Sequence, residues 1–225
     1  MNRNYHAFCA MLLAFVLVLV MCSQFIKDSY AQAKDEKVVY LTFDDGPSDR
    51  VTPKILDILK EEKVKATFFI VGNAAQSRKY LLEREYREGH TVAVHSYTHE
   101  YKQIYSSAEN LLADIDKCNE VIKSVTGSYS TIYRFPGGSY GLKDELIEAV
   151  KAHGMKYADW NASTCDAEYC TAPQEVIYAN AVNSSKGRNR VILLAHDSTT
   201  KTTTAEALRD IIRYFKSQNY IFATL

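Results

Sequence analysis

Seven short apolar runs alternating with six helical patterns constrain this chain more than any other feature. The runs fall at 38–43, 66–71, 91–95, 132–135, 156–161, 191–195 and 220–225 and read as strands. The first helical pattern carries Ile55, Leu56, Ile58 and Leu59 after Pro53, and others span 76–88, 107–125, 143–152, 174–185 and 204–217. Gly89, Gly127, Gly154 and Gly187 fall just beyond four of these helices, where a left-handed cap would end them. Strands and helices in strict alternation argue for parallel βαβ units, either spread as an open sheet or wound into a barrel. Polar residues at the strand ends favour the barrel. Asp44 and Asp45 end the first strand, His95 ends the third, Arg134 sits on the fourth, Asp166 follows the fifth and His196 ends the sixth. An open sheet would string them along an edge, whereas a barrel gathers the carboxyl ends of its strands into one ring. The expected fold is therefore α/β, a distorted (β/α)7-type barrel of parallel strands.

The 225 residues are 47% apolar, enough for one sizeable domain, and the 27 basic and 27 acidic residues cancel. With no run of like charge, nothing points to nucleic acid or to an anionic membrane surface. The first segment has a different character. Arg3 precedes an uninterrupted apolar stretch from Ala7 to Cys22, and Ala31-Gln32-Ala33 follows. That order is expected of a secretory signal over residues 1–33. An uncleaved anchor through residues 7–26 is equally compatible with the length, which approaches the ~20 residues that cross a bilayer. A lipoprotein site at Cys22 is disfavoured by Met21. All of these readings export the domain, so an extracellular or cell-wall location is expected. A short charged linker, 34–37, leads to one domain at 38–225, and the chain beyond residue 33 retains 25 basic and 26 acidic residues. Cys165 and Cys170 are close enough to close a small loop in an oxidising compartment, while Cys118 on a predicted helix reads as a core residue.

The chemistry begins at Leu41-Thr42-Phe43-Asp44-Asp45-Gly46-Pro47-Ser48, where an apolar run ends in two adjacent carboxylates. Side by side at a buried strand end, they repel and are costly to desolvate. A metal ion on one and a cation on the other would compensate them. His95-Ser96-Tyr97-Thr98-His99 spaces two imidazoles four apart, so one helical turn starting there would aim both at a point. Two histidines and an aspartate fill one face of a divalent ion and leave positions open. A non-haem iron oxygenase uses the same donors. The surplus acid and base groups, a second Asp and a third His, favour hydrolysis instead.

These motifs, in this order across 38–225, resemble the polysaccharide deacetylases of the NodB-homology kind, carbohydrate esterase family 4. The resemblance implies that Asp44 is the general base and that Asp45, His95 and His99 hold one divalent ion, zinc first, with cobalt, nickel or manganese as alternatives. It implies that Arg134, in Arg134-Phe135-Pro136-Gly137-Gly138, holds the base, and that the Gly137 N–H binds the oxyanion. In Leu194-Ala195-His196, Leu194 would pack the acetyl methyl and His196 would be the general acid, with Asp166 raising its pKa. Asp159 is a rival for that pairing. The tryptophan often found after the aspartate in such relatives is Ala167 here, which leaves that wall of the acyl pocket open to another aromatic. The expected reaction is removal of N-acetyl groups from a glycan by a metal-activated water, by a monomer. Peptidoglycan N-acetylglucosamine is the first candidate. N-acetylmuramic acid, chitin oligomers and O-acetylated xylan are the alternatives, and a catalytically silent glycan-binding barrel is the reading from another class.

Overall fold

The computed structural model describes residues 21–24, 36–168 and 172–225. Most of the expected leader therefore lies outside the described residues, as does Cys170. Among the described residues no helix is long and apolar enough to cross a membrane. Lys37–Leu225 forms one compact unit.

β1 (Val38–Asp44) is buried from its second residue onward on both faces, which is why it reads as an unbroken apolar run. One edge pairs along its full length with β7 (Arg190–His196), from Val38 opposite Arg190 to Asp44 opposite His196. Two strands share the other edge. β8 (Ile221–Ala223) takes Val38 to Tyr40, and β2 (Thr67–Val71) takes Thr42 to Asp44. β3 (Thr91–Ser96), β4 (Ile132–Tyr133) and β5 (Lys156–Tyr157) continue beyond β2, and β6 (Ala162–Ser163) flanks β7. Every pairing is parallel. The sheet thus runs β5-β4-β3-β2-β1-β7-β6, the parallel α/β barrel expected, with its distortion at the β5/β6 seam.

That seam corrects one expectation. The run at 156–161 is two short strands, because its middle leaves the ladder. Ala158 N–H still donates to Tyr133 O on one side, and Asn161 N–H donates to Ile192 O on the other. In between, the carbonyls of Ala158 and Asp159 accept from the Arg134 guanidinium. The segment spans the gap between the two ends of the sheet, and an arginine takes the place of a neighbouring strand.

The helices cover the outside. α1 (Thr52–Glu61) buries Ile55, Leu56 and Leu59. The pattern at 76–88 is two helices, α2 (Gly72–Ser77) and α3 (Lys79–Arg87), which meet at Arg78 with φ −132° and ψ 40°. A short turn, α4 (Tyr101–Ile104), precedes α5 (Ala108–Thr126), which starts on the Ser107 side chain and stops at left-handed Gly127. α6 (Asp144–Ala152), α7 (Gln174–Ser185) and α8 (Thr202–Ser217) complete the layer. Cys118 of α5 is buried in the core, as expected.

The loop leaving β1 is tied to the end of β7 by Asp197. Its N–H donates to Asp44 O, its carbonyl accepts from Ser48 Oγ, and its carboxylate accepts from Thr52 Oγ1. Gly46 lies against that carboxylate, where an added Cβ would sit 2.1 Å from Asp197 Oδ2. Gly46→Ala is therefore expected to lower stability by about 1–3 kcal/mol, the cost of overpacking a well-filled site, read as a reduced urea midpoint.

Candidate active site

Asp45, His95 and His99 meet at the carboxyl ends of β1 and β3. Asp45 Oδ1 lies 3.4 Å from His95 Nε2 and 3.2 Å from His99 Nε2, and the three donor atoms are within 4.8 Å of one another. Tetrahedral ligands of a zinc ion at ~2.0–2.1 Å stand about 3.3 Å apart, so the spacing and the O, N, N donor set fit a divalent ion. The tautomer fits too. His95 Nδ1 is 2.8 Å from the Arg134 carbonyl, an oxygen that can only accept, so the proton sits on Nδ1 and Nε2 keeps its lone pair. Burial pulls the His99 pKa below its ordinary value, which favours the neutral, ligating ring. Asp45 is held well below the usual carboxylate range: burial opposes this, but His95, His196 and His99 outweigh it.

The histidine spacing works differently from expectation. No helical turn starts at His95. The strand runs to Ser96, and a tight turn then places His99 at φ 61°. Asp114 of α5 pins that turn by accepting from Ser96 Oγ, Tyr97 N, Thr98 N and Thr98 Oγ1 at 2.6–3.0 Å. Ser96 Oγ in turn accepts from His99 N at 2.8 Å. Asp45 is also left-handed, at φ 74°. Two of the three donors thus sit on backbone that side-chain-bearing residues rarely adopt, a strain of order 1–3 kcal/mol each that concentrates at functional sites.

Asp44 and Arg134 form a buried ion pair of 2.9 Å, with both side chains essentially excluded from water. The same Arg134 Nη1 donates to Thr42 Oγ1 at 2.7 Å, and the guanidinium lies 4.1 Å from the Phe69 ring centroid. On the far side of Asp44, across the β1/β7 ladder, stands His196. Its Nδ1 lies 2.7 Å from Asp166 Oδ1, while Asp166 Oδ2 accepts from His196 N and Thr204 Oγ1. Burial draws the His196 pKa down, but the bond to Asp166 and the charges of Asp166, Asp44 and Asp45 prevail and hold it at about 9. Asp159, the rival partner, accepts instead from Ser139 N and Ser139 Oγ. It anchors the loop after Gly138 and does not pair with His196.

Leu194 lies two residues before His196 on β7, hence on the same face, and is almost fully buried. Gly137 is left-handed at φ 79°. Tyr105 Oη donates to Pro136 O at 2.7 Å, and because the Pro136–Gly137 peptide is trans, the Gly137 N–H points away from Tyr105. Ala167 is exposed. The aromatics beside the glycine pair are Trp160, 3.0 Å from where a Gly138 Cβ would lie, and Tyr101, 3.0 Å from the equivalent position at Gly137. The Tyr101 ring stands edge-on to His99, and burial followed by the charges of Asp45 and Asp44 raises its phenol pKa. Neither Asp114 nor Tyr101 carried a signal in the sequence, since each looks like an ordinary helix or loop residue.

With that geometry in place, the comparisons are decisive. The family model described as polysaccharide deacetylase matches residues 31–158. The chain belongs to the polysaccharide deacetylase family. It is 34% identical over 196 residues to a peptidoglycan-N-acetylglucosamine deacetylase of Listeria monocytogenes, an alignment covering 86% of this chain and 39% of that one. It is 32% identical over 193 residues to a peptidoglycan-N-acetylglucosamine deacetylase of Bacillus cereus, covering 84% and 69%. The crystal structure of the catalytic domain of peptidoglycan N-acetylglucosamine deacetylase from Eubacterium rectale superposes with a TM-score of 0.78 at 36% identity, covering 84% and 88%. This polysaccharide deacetylase is accordingly a hydrolase, and the oxygenase reading of its His, His, Asp triad falls away.

Two outcomes follow for the polysaccharide deacetylase site. Asp114→Asn should weaken zinc binding about 10- to 100-fold, the usual cost of losing a group that orients ligands, measured by competition with a chromophoric chelator. For His196, a folded pKa of about 9 against an ordinary 6.5 means a contribution to stability complete below pH 6.5 and lost as pH rises through about 9. Asp166→Asn should reduce that slope and lower the imidazole pKa, leaving the smaller rise due to Asp44 and Asp45, read from the pH dependence of its NMR shifts.

Proposed function

We propose that this chain removes N-acetyl groups from N-acetylglucosamine residues of peptidoglycan on the outer side of the membrane, as a metal-dependent hydrolase. One observation carries the reading: the β1/β7 register sets Asp44 opposite His196, and Asp45, beside Asp44, joins His95 and His99 in one donor cluster. A proton acceptor and a proton donor thereby flank a site for a cation. The names of the Listeria, Bacillus and Eubacterium relatives support the substrate, and the leader expected from the sequence at 1–33 supports the location.

Asp45, His95 and His99 would hold the divalent ion, which when bound polarises a carbonyl and acidifies water. Zinc suits these donors, as do cobalt and nickel. Asp44, fixed by Arg134 and Thr42, takes the proton of the attacking water. The Gly137 N–H donates to the oxygen on which negative charge develops as the amide carbon becomes tetrahedral. The His196 imidazolium, held by Asp166, passes its proton to the sugar nitrogen as the C–N bond breaks, leaving acetate and a free amine. Leu194 packs the acetyl methyl.

The test is acetate release by the full chain, loaded with zinc or cobalt, from intact peptidoglycan, chitin oligomers and acetylated xylan. Release should be greatest from peptidoglycan and should stop with chelator. Asp44→Asn should abolish release with metal content unchanged. Equal release by that variant would remove Asp44 as the base, and xylan outrunning peptidoglycan would overturn the substrate.

A further inference from the structure

The wall left open at Ala167 draws attention to Tyr101, which the reaction above does not use. From the residues around it we infer that Tyr101 is a second hydrogen-bond donor to the substrate's acetyl oxygen, paired with the Gly137 N–H. The inference rests on the deacetylase reading and adds a catalytic contact to it.

Three observations place the hydroxyl there. Tyr101 lies beside Gly137, which is exposed: a Cβ on that glycine would stand 3.0 Å from Tyr101 Cε1 and 3.2 Å from Oη. The phenol oxygen therefore lies beside the glycine whose N–H the proposed reaction gives to the oxyanion. The ring also packs edge-on against His99, with centroids 5.3 Å apart, so the same side chain touches both the donor cluster and the oxyanion loop. Finally, the residue is 46% exposed, and its hydroxyl makes no hydrogen bond among the described residues. Its neighbour Tyr105 contrasts with it, since that hydroxyl is committed to Pro136 O. The two rings meet edge to face with centroids 5.9 Å apart. Tyr105 sets the direction of the Gly137 N–H and buttresses Tyr101, and Tyr101 offers a donor to whatever enters.

A phenol in this place serves two purposes. Its face supplies the aromatic wall that Ala167 cannot, together with Trp160 on the other glycine. Its O–H donates to an oxygen that is a weak acceptor as an amide carbonyl and a strong one as an oxyanion, so the interaction strengthens as the reaction advances. Gly137 fits this arrangement, because any side chain there would meet the phenol ring.

The experiment compares Tyr101→Phe and Tyr101→Leu with the wild-type full chain, each loaded with zinc. Two quantities are read: kcat and KM for acetate release from an N-acetylglucosamine oligomer, and the Kd of acetate, whose carboxylate presents two oxygens to the same donors. Tyr101→Phe keeps the ring and should lower kcat on the order of 10²-fold, the scale for one lost oxyanion donor, with KM within about threefold and zinc content unchanged. It should also weaken acetate binding at least fivefold. Tyr101→Leu should add a rise in KM, from loss of the wall. A Tyr101→Phe enzyme with wild-type kcat would overturn the inference while leaving the deacetylase reading intact. If the wild type releases no acetate from any glycan, that reading fails, and acetate affinity alone decides for Tyr101: unchanged binding in Tyr101→Phe would overturn the inference as well.

Discussion

The structure depends on a charge placed where charge is expensive. Arg134 is wholly buried, and so is Asp44, to which it is bonded. Either one alone at that depth would cost several kcal/mol. The pair persists because every nitrogen of the guanidinium has a partner: Nε donates to Ala158 O, Nη1 to Asp44 and Thr42, Nη2 to Asp159 O, and one face packs on Phe69. Those same bonds close the barrel seam, because the carbonyls they satisfy belong to the segment that crosses between β5 and β6. The backbone carbonyl of Arg134 accepts from His95. One residue therefore joins the two ends of the sheet, orients the Asp44 carboxylate and fixes the tautomer of His95.

Around that centre, the strand ends and the loops divide the work. Asp44, His95, Leu194 and His196 are strand residues whose positions follow from pairing. Asp45, His99 and Gly137 sit just beyond strands in left-handed conformations that the neighbouring structure enforces. Asp114 enforces one of them with four hydrogen bonds, and Asp197 braces the loop that follows another. The site is polar, with Asp44, His95, Arg134, Asp166 and His196 buried and Asp45 and His99 part-exposed, and these groups are held by partners on other elements.

How much of this could be read in the chain depends on how local each cause is. The strands and most helices were legible because hydrophobic period and terminal glycines act within a few residues. The candidate residues were legible because a barrel turns strand ends into neighbours: Asp44, His95 and His196 end apolar runs, and Arg134 interrupts one. What escaped has distant causes. The run at 156–161 looks like one strand until Arg134, over twenty residues earlier, takes its carbonyls. The His95–His99 turn looks helical until Asp114 captures its amides. Alternation could not choose between Asp159 and Asp166, and the choice is made by the donors each meets: Ser139 for one, His196 and Thr204 for the other.

The ladder between β1 and β7 has a consequence for how such an enzyme diversifies. Neighbouring strands keep a spacing of about 4.8 Å, so the gap between the Asp44 and His196 backbones is a property of sheet geometry and does not depend on the loops above. Insertions and exchanges in the surrounding loops can reshape which sugar is admitted while that gap stays constant. Recognition is thereby free to drift on a fixed chemical chassis.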